Sequence, residues 1–198
     1  MINMTTEYLK QSRRLSEAGL LREALTPLHI GLGLFPQSPE LWYEKYRLLK
    51  KIGSEEAYAA LVECRRVAPT YLPALQSYYE ELLRQHRIRE AYQLLDEILE
   101  RDKGNPRWWV HKAFWAMHFG DNDTAEEAIQ YASELPYQTP EVLYYRALFL
   151  ARLGQNAEAA QLLETCLQQE PDLLSEVAEE PLLQALVPSA AVPAASAK

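Results

Sequence analysis

Glycine, then alanine five residues on, then proline twelve beyond that: Gly154, Ala159 and Pro171 are the fullest copy of a skeleton that recurs five times along this chain. Self-similarity at such spacing marks a stack of helical hairpins, in which each unit buries its apolar face only against the next. That restricts the fold to all-α and sets aside most enzyme architectures. It names no partner, because function on such a scaffold lies in side chains outside the repeating skeleton.

Successive copies begin at Thr5, Pro39, Leu72, Pro106 and Pro140, in steps of 34, 33, 34 and 34 residues, with the short step in the turn after Gly53. Each part of the skeleton has a physical cause. Gly19, Gly53, Gly120 and Gly154 fall between two helices, where a helix commonly ends at positive φ. Leu94, Leu95, Ile98 and Leu99 form an apolar stripe at helical spacing. Pro106 and Pro140 stand at helix starts, where the missing amide costs no hydrogen bond.

The pattern resembles the tetratricopeptide repeat over residues 5–173. Tyr8, Trp42 and Trp109 stand at the motif's aromatic position, with Leu75 and Leu143 as apolar substitutes. Ala24, Ala57, Ala91 and Ala159 stand at its central alanine, with Ala125 or Ala128 in the fourth copy. Pro36, Pro69 and Pro171 stand at its terminal proline; the third copy departs, with Lys103 there and His86 in place of the turn glycine. The resemblance implies a right-handed α-solenoid of five hairpins in one domain, residues 1–187. The repeats lie near 5–38, 39–71, 72–105, 106–139 and 140–173, followed by a capping segment over 174–187. Residues 188–198, which are Pro, Ser, Ala and Val before Lys198, read as a disordered tail.

In the family, the first helix of each repeat lines a concave groove that meets a peptide of a partner protein. Carried across, the groove positions are Leu9, Arg13 and Ser16; Tyr43, Arg47 and Lys50; Gln76, Glu80, Leu83 and Arg84; Val110, His111, Phe114, Met117 and His118; and Tyr144, Tyr145, Leu148 and Arg152. The lining is basic at one end and aromatic at the other. It suits a partner segment with acidic groups and large apolar anchors. The family's carboxylate clamp is poorly matched, since Asn3, Asn105, Asn122 and Asn156 lie at the terminus or in turns.

Other chemistries find little support. His111 and His118 are seven residues apart, about 10 Å along a helix, too far to share one metal ion. No phosphate-cradling loop or nucleophile motif is present, so the chain is read as no enzyme, with no cofactor and no metal. Cys64 and Cys166 share one repeat position, with Gly31, Ile98 and Ala132 or Leu135 in the other copies, and read as buried free thiols. The formal charge is −8 and the calculated pI about 5.1, which argues against nucleic acid. The acids concentrate after Asp121 and favour a basic partner there. No run is long enough to span a membrane, and Met1 to Lys10 shows no secretion signal, so a cytoplasmic location is expected. The reading is a cytoplasmic adaptor or chaperone. Its alternatives are a regulatory or substrate-presenting subunit of an enzyme complex and a self-associating structural protein, the last through Leu182, Leu183 and Leu186.

Overall fold

The computed structural model describes residues 4–136 and 139–187, and among these it is all-helical. The expected tail, 188–198, lies outside the described residues. Two compact units meet at the Arg101–Asp102 bond. Unit 1 holds three hairpins: α1 (Met4–Glu17) with α2 (Leu25–Leu34), α3 (Pro39–Ile52) with α4 (Ala57–Val67), and α5 (Leu72–Arg84) with α6 (Ile88–Leu99). Unit 2 holds α7 (Pro106–Phe119) with α8 (Asn122–Glu134) and α9 (Pro140–Arg152) with α10 (Asn156–Gln169). A 3-10 turn, Pro171–Leu173, then leads to α11 (Leu174–Glu179) and α12 (Pro181–Gln184).

Local chemistry sets these boundaries. Ser38 and Thr139 cap α3 and α9 by accepting the amides of Leu41 and Val142, and Pro39 and Pro140 follow at the first helical position. The four turn glycines take φ between 75° and 82°; in the third hairpin His86 takes φ 58° at the same place. The turn thus imposes the left-handed conformation even where a side chain opposes it.

The skeleton alanines mark the tightest packing. Ala24, Ala91, Ala125 and Ala159 are fully buried, which places Ala125 at the fourth copy's position. Ala57 is only partly buried, while Ala60, one turn on, is buried like its counterparts Pro27, Leu94 and Ala128. Gly31 stands where a β-carbon would lie 3.1 Å from the Tyr8 side chain and 3.2 Å from Leu41. Its counterparts Cys64, Ile98, Ala132 and Cys166 are fully buried, so Ala132 and not Leu135 holds this place in α8. Both cysteines are free.

The capping segment is shorter and more broken than one continuous helix. Pro181 opens a separate turn of helix, and Glu180 accepts the Leu182 amide. Val177 and Leu183 are nonetheless fully buried, in a cluster with Ala147, Leu148, Ala159 and Leu163.

Candidate functional site

In unit 1 the first helices α1, α3 and α5 are tied side by side by polar contacts. Tyr43 Oη and Ser77 Oγ lie 3.1 Å apart, and Tyr46 donates to Glu81 Oε1 at 3.4 Å. Two buried carboxylates organise the charged surface above them. Glu44 receives Arg13 from α1 at 3.2 Å and Arg47 from its own helix at 3.4 Å. Glu81, with a side chain only 6% exposed, receives Arg84 at 2.6 Å and Lys50 at 3.2 Å. Lys50 also approaches Glu80 at 3.9 Å and donates to the Tyr46 hydroxyl.

Burial alone would raise the Glu81 carboxyl, but the hydrogen bonds from Arg84 and Lys50 outweigh it and hold the group below its ordinary value. Lys50 moves the other way: burial would lower it, yet its bonds to Tyr46 and Glu81 leave it raised. Arg13, Arg47, Lys50 and Arg84 remain about half or more exposed, so each presents outward donors while its inner ones are spent. Glu80 is exposed and Gln76 half-buried on the same helix row.

Unit 2 arranges its positions differently. His111 Nε2 lies 3.1 Å from Glu141 Oε1, and its ring meets Trp108 edge-on. Phe114 is half-buried and packs edge-to-face on Tyr145, with ring centres 5.4 Å apart. His118 and Arg152 are exposed. Three groove expectations are corrected here: Met117, Val110 and Leu148 are at most 5% exposed and belong to the core. Their helices present those positions to neighbouring helices, which a single-helix register cannot reveal.

Tyr144 has a different neighbour. It is half-buried against the cluster that includes Val177 and Leu183, so the chain's own C-terminal segment occupies its surroundings. Burial, followed by Tyr145, Glu180 and Glu176, pushes its phenol up to about 12. Among the described residues no group of three His, Cys, Asp or Glu is placed to hold a metal, and no helix is long and apolar enough to cross a membrane.

Sequence reasoning missed Glu44, Ser77 and Glu81. The signal for both acids was present, since Glu44–Arg47 and Glu81–Arg84 each stand three residues apart, neighbours on a helix surface.

Residues 116–172, from the end of α7 through α10, match the family model for the tetratricopeptide repeat. That stretch carries the tetratricopeptide repeat. No curated relative matches the chain. Among solved structures, the chain is similar to MamA (residues 41 to the end) from Desulfovibrio magneticus RS-1, with 18% identity, 87% of this chain and 98% of that one covered, and a TM-score of 0.67. It is also similar to Pseudomonas aeruginosa PilF, at 17% identity with 92% and 88% covered and a TM-score of 0.64. A third is YrrB, described as a repeat protein with an unusual peptide-binding site, at 16% identity with 90% and 89% covered and a TM-score of 0.67. These likenesses bear on the fold. The repeat matched over residues 116–172 is in general a protein–protein interaction module and typically non-catalytic.

Proposed function

We propose that the chain acts as an adaptor or chaperone that captures a peptide segment of a partner protein on the α1, α3 and α5 face of unit 1. One observation carries the reading: Arg13, Arg47, Lys50 and Arg84 project from that face with their inner donors fixed on buried carboxylates. Fixing a long cation in advance lowers the entropy lost when it meets a ligand acid. Tyr43 lies half-buried among them and supplies apolar contact. The partner segment accordingly combines acidic residues with a large apolar anchor. On unit 2, Phe114, His111, His118 and Arg152 form a separate, weaker candidate surface. The peptide-binding site described for YrrB supports a peptide as the ligand class. The reading assigns the chain no catalytic role of its own and a cytoplasmic setting.

The test is fluorescence anisotropy with labelled peptides that pair an Asp/Glu run with Phe or Trp, against matched peptides bearing Lys. Arg47→Gln leaves Glu44 paired to Arg13, so the fold is kept; capture of the acidic peptides should weaken, most at low salt, where exposed charges are screened least. Equal capture of acidic and basic peptides by the parent would exclude this face as the working surface.

A further inference from the structure

Within unit 1, the third hairpin clasps the second through three side chains. Tyr78 of α5 stacks on Tyr58 of α4 and lies against the Arg65 guanidinium. Arg87, in the turn before α6, donates to the Tyr58 hydroxyl at 3.3 Å, and Glu97 of α6 pairs with Arg65 at 3.7 Å. Tyr58 and Arg65 thus define the face of a second helix on which the following hairpin sits.

Through the repeat frame, Arg87 and Glu97 correspond to Leu20 and Ile30 of the first hairpin, and Tyr58 and Arg65 to Ala160 and Leu167 of α10. The polar contacts between the second and third hairpins of unit 1 are thus replaced by apolar residues in the first hairpin of unit 1 and in α10 of unit 2. Leu20 is 45% exposed and Ile30 52%. Ala160 and Leu167 line, with Leu163, Leu186 and Val187, a hollow of about 440 Å³. Since α12 packs on α9, it sits beside that helix, and among the described residues the hollow along α10 is left open. Terminal repeats ordinarily turn a polar face outward, so exposed Leu and Ile at stacking positions call for a cover.

We propose that this cover is a second copy of the chain, whose first hairpin seats Leu20 and Ile30 in the hollow along α10. Charge selects unlike faces. Residues 155–187 contain acids, Glu164 on the hollow's rim among them, but no Lys or Arg, so two such faces repel each other. In the first hairpin Lys and Arg outnumber Glu. Contact between unlike faces is heterologous: in a pair, one copy keeps its first-hairpin face unused and the other its α10 face.

The test is sedimentation equilibrium of the full chain over a concentration series. The parent should show a mass that rises with concentration. Leu20→Glu with Ile30→Glu, both at exposed positions, should weaken association by roughly thirtyfold, the loss expected for a buried anchor. Leu167→Glu should do the same from the other face; should circular dichroism show that variant unfolded, Glu164→Lys, an exposed change, replaces it. Mixing a front variant with a back variant should restore a one-to-one pair that grows no further, because one intact face of each kind remains. A monomeric parent at every concentration, or a mixture that stays monomeric, overturns the proposal.

Discussion

The thiol of Cys64 donates to the carbonyl oxygen of Pro39 at 3.2 Å, and Cys166 stands to Pro140 in the same way at the same distance. In each case a residue late in a hairpin's second helix is tied to the first residue of its first helix. Burial pushes the Cys64 thiol up to about 12 and Cys166 up to about 11, with acids nearby adding to both shifts. Native protein at pH 8 should therefore resist alkylation at both sites, while the unfolded chain reacts fully. Rapid modification of the native protein, read by mass spectrometry, would contradict the packing described.

His86→Gly should stabilise the protein. The left-handed conformation costs a residue with a β-carbon roughly 1–2 kcal/mol, and the freedom of glycine in the unfolded chain takes back about 0.4–1 kcal/mol. A net gain of about 0.5–1 kcal/mol in urea unfolding is expected. An unchanged or lower midpoint would mean that His86 makes up its strain elsewhere.

Ala91→Leu and Ala159→Leu add bulk at positions with no exposed surface. Each should cost about 1–3 kcal/mol by overpacking. Thermal unfolding reports it directly, and two unperturbed variants would refute the repeat frame.

The Glu81 carboxyl sits below its ordinary value in the folded chain, so the unfolded chain takes up its proton first as pH falls. The stability it contributes is complete above the ordinary carboxylate range and fades as pH drops through that range and the folded value beneath it. Glu81→Gln should flatten this part of the stability curve between about pH 5 and pH 3. The same slope in parent and variant would assign the acid sensitivity to other carboxylates.

The hairpin frame was legible because its determinants are local: a turn glycine, a cap, a small residue where helices cross. Even the departure at His86 kept its register, since the flanking helices dictate the turn. The candidate surface was read less well. Arg13, Arg47 and Arg84 were found as exposed cations, but what holds them depends on which helix a neighbour offers, and Glu44 and Glu81 were not singled out. Met117 and Leu148 failed for the same reason from the other side. Their burial is decided by α8 to α12, and nothing in the periodicity of α7 or α9 alone records it.

On the binding face proposed above, the buried acids beneath the unit 1 cations also bear on how a partner is met in time. Residues 1–101 contain as many acids as bases, so unit 1 taken whole carries no formal net charge and acts at distances beyond a Debye length as a neutral body. An acidic segment is not drawn in from afar, and encounter proceeds at an unsteered pace with little dependence on ionic strength. Discrimination begins only on contact, when an incoming carboxylate must share Arg84 with Glu81 or Arg47 with Glu44, and it is therefore written into dwell time rather than arrival.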